Sequence, residues 1–170
     1  LFRSNLIRTA YSAIAAEIKD FSISLLDADG NTIAQAPDGV PMFCADLNLA
    51  IRKGLRIFKE EGFAPGDIIL TNDTETNGQH VNNMVAYSPI FADGKLLAFA
   101  AVRSHWVDLG GMAVGSMPVN SRDIFSEGIQ LPFLKVYRAG VEDEGILRLI
   151  RANSRFPDLI LGDMRAQISA

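Results

Sequence analysis

Two apolar, strand-like runs, Met84 to Phe91 and Lys95 to Arg103, are joined across Asp93-Gly94, and this pairing constrains the fold more than any other feature of the chain. An Asp-Gly step suits a tight two-residue turn, so the runs form one long hairpin. Each end of the hairpin meets a polar stretch: Thr71–Asn83 before it, carrying His80, and Arg103–Gly111 after it, carrying His105. Antiparallel pairing returns the chain to the edge it left, so these two stretches meet at the same edge of a sheet. Imidazole with carboxylate or carboxamide groups converging there suits a zinc, manganese or iron ion. Spacing alone argues for less. A loop histidine is more often solvated or hydrogen-bonded than ligating, and no compact His-x-x-x-His or Cys-x-x-Cys pattern is present.

The remainder is arranged around that hairpin. Leu1, Leu6, Ile7, Ala10, Ile14 and Ile18 make a helical stripe over 1–18. Phe21–Leu26, Asp29-Gly30 and Thr32–Ala36 predict a first hairpin over about 20–36. A helix over 43–61 places Leu47, Ala50, Ile51, Leu55 and Phe58 on one side and ends at Gly62. Ile68-Ile69-Leu70 reads as a buried strand, and Ile129–Tyr137 as a strand that Pro132 confines to an edge or breaks. Helices are expected over 142–152 and around Gly162–Ile168. The fold class is α+β, a mostly antiparallel sheet with hairpins over about 20–36 and 84–103, helices covering one face. Residues 1–170 make a single domain or the N-terminal segment of a longer subunit. Leu1 enters a helix without a cap or a starting methionine and Ala170 stops inside one, as expected of a piece of a longer polypeptide.

Composition excludes several function classes. With 48% apolar residues, 170 residues suffice for one core without staples. Sixteen Lys+Arg against 20 Asp+Glu, a net charge of −4, with no basic run, argue against nucleic acid. The single cysteine, Cys44, excludes an internal disulfide, reads as a buried small hydrophobe and fits a reducing, cytoplasmic compartment. The longest apolar run, Leu96–Val102, is too short to cross a bilayer and no charged-then-apolar leader opens the chain, so no membrane association is expected. The same order of elements also describes small sensory domains of the GAF or PAS kind, in which the histidines would lie apart around a closed apolar pocket.

Taken together, several segments resemble the hydantoinase B/oxoprolinase family, whose members include the B subunits of ATP-dependent N-methylhydantoinases and caprolactamases and related subunits of acetone and acetophenone carboxylases. The resemblance runs the whole length: Arg8-Thr9-Ala10-Tyr11-Ser12, Asp20-Phe21-Ser22, Asp27-Ala28-Asp29-Gly30 and Ala34-Gln35-Ala36; then Pro65-Gly66-Asp67, Asn72-Asp73 and Gly78-x-His80; then Arg103-x-His105-x-x-Asp108-x-Gly110-Gly111. Gly115-Ser116-Met117-Pro118, Glu127-Gly128, Pro132, Lys135, Asn153-x-Arg155-x-Pro157 and Gly162-Asp163-x-x-Ala166-Gln167 continue it. The order and spacing of these motifs, more than any one of them, carry the likeness. It places the chain in the N-terminal portion of longer proteins.

The resemblance implies a metal held by Asp20, His80, Asn83 and His105, with Asp108 as an orienter or proton acceptor. Asn83 departs from the family's aspartate: its carboxamide still ligates, without the charge. Thr74, Glu75 and Gln79 also depart from the family pattern and leave the substrate open. The implied function is the metal-bearing subunit of a cytoplasmic hetero-oligomeric hydrolase of cyclic amides or imides such as hydantoins, lactams or 5-oxoproline. A hydantoinase A-like partner subunit would use ATP to phosphorylate the small-molecule substrate, and the divalent ion would lower the pKa of the attacking water. An acetone- or acetophenone-type carboxylase subunit is the alternative within the family.

Overall fold

The computed structural model describes residues 2–37, 39–77, 80–115 and 118–170. Of the motif residues above, Gly78, Gln79, Ser116 and Met117 lie outside the described residues. Helix α1 (Phe2–Thr9) and a π-helical turn (Ile14–Ile18) precede strands β1 (Phe21–Asp27) and β2 (Thr32–Gln35). Then come α2 (Pro41–Cys44), α3 (Leu47–Ile57), β3 (Ile68–Thr71), α4 (Thr74–Asn77), β4 (Asn83–Ala92) and β5 (Lys95–His105). A 3-10 turn (Ile124–Ser126), β6 (Leu134–Arg138), β7 (Val141–Glu142), α5 (Glu144–Ala152) and α6 (Pro157–Ser169) complete the chain. The strands form one antiparallel sheet in the order β2-β1-β5-β4-β3-β6-β7.

The expected α+β class is the observed one, and both hairpins are present. The central hairpin turns through Asp93 (φ 49°) and Gly94 (φ 75°), the positive-φ pair of a two-residue loop, and pairs Ala92 with Lys95 and Asn83 with His105. One-sided helical cover is corrected. Val85, Tyr87, Phe99 and Leu26 pack under α3, while Met84, Ala86 and Leu70 pack against residues of α5 and α6 on the opposite face. Strand residues alternate between faces, and apolar residues at consecutive positions therefore demand cover on both.

Two predicted helices are interrupted by tertiary partners. The stripe over 1–18 breaks because buried Asp163 of α6 accepts from the backbone N–H of Tyr11 (2.7 Å) and Ser12 (2.9 Å), withdrawing donors from a continuous ladder. The Tyr11 ring lies over Gly162, where an added Cβ would fall 2.4 Å from it. Likewise the helix over 43–61 is divided at Asp46, whose carboxylate reaches the guanidinium of fully buried Arg103 at 2.7 Å. Strand Ile129–Tyr137 is shorter than expected: Pro132 and Phe133 (φ 56°) deform its start, and pairing begins at Leu134. Cys44 is buried and unpaired, as expected. No helix of the described residues is long and apolar enough to cross a membrane.

Helix α3 sits unusually close to the sheet at Gly54, where an added Cβ would lie 2.0 Å from the Tyr87 hydroxyl. That hydroxyl is buried without a hydrogen-bond partner among the described residues, and burial pushes its pKa far up. In an open helix Gly54→Ala stabilises; here it should destabilise by about 1–3 kcal/mol through overpacking. Tyr87→Phe should be neutral or stabilising, and the double variant should recover most of the loss, all read by urea unfolding.

Asp67 anchors the other end of the sheet. It accepts from the N–H groups of Ala64 (2.9 Å) and Ala139 (2.8 Å) and pairs with buried Lys135 at 2.9 Å. Burial would raise its pKa, but the two N–H donors and the ammonium outweigh burial and hold it below the ordinary value of 3.8. A depressed folded value means the stabilisation is present above 3.8 and lost as pH falls through the folded value. Asp67→Asn should cost about 3 kcal/mol at pH 7. In acid titrations the gap between variant and wild type should narrow below pH 3.8.

Candidate metal centre

Register alone assembles the centre. Asn83 is the Cα partner of His105, and the His105 N–H donates to the Asp20 carbonyl at 3.0 Å, one residue before Phe21 pairs with Ser104. Asp20, His105 and Asn83 thus form a row across β1, β5 and β4 on the face that carries α3. The next row on that face is Ser22, Arg103 and Val85, and the one after it Ser24, Ala101 and Tyr87, so a polar end grades into an apolar core. Arg103 sits beneath the row with its guanidinium against Asp46 and 5.6 Å from the Phe43 ring centre, which balances its charge within the protein.

His80 reaches the row from the preceding loop. Its carbonyl accepts from the Asn83 N–H (3.1 Å), and its ring centre lies 5.0 Å from that of His105, tilted by 50°. Two asparagines hold this loop. Fully buried Asn82 donates to the Trp106 carbonyl (2.7 Å) and its own carbonyl accepts from the Trp106 N–H (2.7 Å), tying one histidine segment to the other. Buried Asn72 donates to the carbonyls of Val81 (2.8 Å) and Ile129 (2.9 Å) and accepts from the Leu131 N–H (2.6 Å). The fully buried Trp106 donates to Gln167 of α6 (2.9 Å), and Gln167 donates to the carbonyls of Met84 and Val102, so α6 clamps the hairpin at this end.

The two imidazoles lie close enough to share a divalent ion. A metal–nitrogen bond of about 2.1 Å beyond a ring radius of about 1.1 Å lets two ligating imidazoles have centres up to about 6.4 Å apart, so 5.0 Å is within reach. Shielded Nδ1 of His80 has no hydrogen-bond partner among the described residues. Burial lowers the pKa of both histidines; His105 lowers that of His80 further, while Glu127 and Asp20 oppose this. Neutral imidazole, the ligating form, is favoured. Asp20 is half-buried; burial raises its pKa, and the His80 charge opposes this. Among the described residues no group of three or more His, Cys, Asp or Glu is placed to hold a metal ion, so Asp20 does not join the two histidines as a ready-made trio.

Asp108 is elsewhere engaged. Its fully buried carboxylate accepts from the Arg155 N–H (2.5 Å) and pairs with the Arg155 guanidinium at 2.9 Å, with the Ser154 hydroxyl at 3.4 Å. Gly110 and Gly111 have positive φ (85° and 73°) and are packed where an added Cβ would strike the backbone of Asn153 and Glu127, so they serve close chain approach. Glu127, which sequence reasoning noted only as a motif residue, carries a charge that opposes the lowering of the His80 pKa by burial. No sequence periodicity links positions 80 and 127; only the fold does.

The profile of the hydantoinase B/oxoprolinase family matches residues 2–170. The chain belongs to that family. It is 31% identical over 169 residues to the putative B component of a D-/L-hydantoinase from a Pseudomonas species, covering 97% of this chain and 28% of that protein. It is 34% identical over 176 residues to 5-oxoprolinase 1 of Arabidopsis thaliana, covering 96% and 14% respectively. Among solved structures it superposes on the ATP-dependent caprolactamase of Pseudomonas jessenii with a TM-score of 0.87 and 27% identity, over 99% of this chain and 29% of that one. Nucleotide-free acetone carboxylase shares the fold at a TM-score of 0.91 and 21% identity, over 99% and 22%. The chain therefore spans less than a third of the length of these relatives.

Because the Asn83 oxygen is neutral, Asn83→Asp in the full-length protein should tighten zinc or manganese binding about tenfold, for about 1.4 kcal/mol of added attraction. A chelator-competition titration showing no change or a loss would remove Asn83 from the donor set.

Proposed function

We propose that this chain is the metal-bearing portion of a cytoplasmic, heteromeric, ATP-dependent hydrolase of cyclic amides or imides. Asp20, His80, Asn83 and His105 hold its divalent ion, and a hydantoinase A-like partner subunit uses the ATP. The observation that carries this reading is the row of Asp20, His105 and Asn83 with the His80 ring 5.0 Å from that of His105. The hydantoinase, 5-oxoprolinase and caprolactamase names of its relatives support the substrate class. A divalent ion, when bound, supplies Lewis acidity toward water or a carbonyl oxygen. The protein's own part is to keep both imidazoles neutral by burial and to hold their loops together through Asn82 and Trp106. Asp108 orients the His105-bearing segment through its pairing with Arg155. Phosphorylation of the substrate oxygen by the partner answers the poor electrophilicity of an unactivated amide.

The rival readings have less support. A sensory domain needs the histidines apart, and they are adjacent. The carboxylase alternative rests on a likeness of fold at 21% identity. The full-length subunit with its ATPase partner should convert at least one of hydantoin, caprolactam or 5-oxoproline with stoichiometric ADP, and His80→Ala or His105→Ala should lower turnover by about 10²–10⁴-fold. The isolated 170-residue chain, given metal and ATP, should release neither product nor ADP, since it has no Gly-x-x-x-x-Gly-Lys-Ser/Thr loop. ADP release by this chain alone would contradict the division of labour.

A further inference from the structure

The helical layer made by α1 and α6 covers only part of its sheet face. Ile23, Val102 and Ala86 are Cα partners in one row across β1, β5 and β4, and they pack against Leu6 of α1 and Met164 and Ala166 of α6. Side chains two positions along a strand return to the same face. The next row on this face is therefore Ala34, Leu25, Ala100 and Ser88, and the one after it Ala98 and Ile90. Leu25 remains 37% exposed and Ile90 36%, and Ala34 is exposed. On the opposite face, beneath α3, their neighbours Leu26, Phe99 and Tyr87 are buried.

These two rows are not built to face water. An antiparallel sheet with one solvated face carries polar side chains there. Ser88 is the one polar member of the rows, and its hydroxyl is turned inward to donate to the Asp67 carbonyl at 2.9 Å. Asp27, at the rim beside Ala98, spends its carboxylate on the N–H groups of Asp29 (3.0 Å) and Asn31 (2.7 Å). No Lys or Arg stands in either row. The alanines leave a shallow trough between Leu25 and Ile90, and where it meets α6 a cleft of about 60 Å3 opens among Ser88, Ala100, Gln167 and Ile168. An apolar patch of this kind, continuous with a covered row, marks a surface that something else buries.

We propose that this face is an internal interface of the longer subunit, in which an apolar segment of the same polypeptide outside residues 1–170 lies beside α6 and covers Leu25, Ala100, Ser88 and Ile90. Length argues for this occupant. The chain spans 28% of the Pseudomonas hydantoinase component and 29% of the caprolactamase chain, so more than two thirds of such a subunit packs elsewhere and needs apolar surface to pack on. The new segment extends the α1 and α6 layer sideways over the strands that layer leaves bare. The inference stands independently of the metal reading.

Thiol labelling of the full-length subunit, read peptide by peptide by mass spectrometry, tests this. Cysteines introduced singly by Leu25→Cys and Ile90→Cys should react at least about 100-fold more slowly in the native subunit alone than in the urea-unfolded chain, at every protein concentration. Slowing of only about threefold, the amount expected for side chains left 37% and 36% exposed, would overturn the proposal. Protection that appears only on adding the ATP-using subunit would assign the face to that partner instead. Protection that grows with concentration, alongside a dimer in sedimentation, would assign it to a second copy; either result overturns the proposal. As a second readout, Leu25→Asp should lower the Tm of the full-length subunit by several degrees because its charge is buried, whereas on a solvated face it leaves the Tm unchanged.

Discussion

The pairing of β4 with β5 is the constraint on which the rest depends. Its register, started by the Asp93-Gly94 turn and shifted by one residue at an irregularity between Ile90 and Phe91, decides that Asn83 faces His105 and that both point to the side carrying α3. A slip of one residue would turn His105, Arg103 and Ala101 to the opposite face together and strand a buried guanidinium away from Asp46. The core and the candidate centre are therefore specified by the same hydrogen bonds. Tyr87 and Phe99 lock the register from the apolar end, and the Asn82–Trp106 exchange locks it from the polar end.

Polar groups in this fold are arranged in depth. Arg103 and Asp46 form a paired layer between the row of ligand candidates and the apolar packing under α3, so the charge nearest the centre is balanced within the protein. Histidines above it are shifted by burial toward the neutral form. A site of this kind is poor in positive charge and short of anionic donors. That is why the neutral oxygen of Asn83 matters chemically.

Most of the skeleton was legible because it is written in local signals. Asp93-Gly94 and the flanking apolar runs define the central hairpin, Asp29-Gly30 the first, and the spacing of Leu47, Ala50 and Ile51 the buried side of α3. What sequence reading missed depends on residues far apart in the chain. The break in the first helix is caused by Asp163, some 150 positions away; the break before α3 falls at Asp46, which pairs with Arg103. Cover on both faces followed from consecutive apolar residues in the central strands, a signal present but read as one-sided. At the centre, His80 and His105 were legible through the hairpin that separates them. Asn72 and Asn82 read as loop polar residues until their buried carbonyl partners were known, and Glu127 has no spacing relation to either histidine.

The central claim is that the two histidine loops, brought together by the hairpin, hold one divalent ion. Anomalous diffraction from crystals of the full-length protein loaded with zinc or manganese addresses it most directly. The account predicts a single strong peak within about 2.3 Å of one nitrogen of each of His80 and His105, with the side chains of Asn83 and Asp20 completing the shell. A peak coordinated elsewhere, or imidazoles that remain unligated at saturating metal, would contradict it.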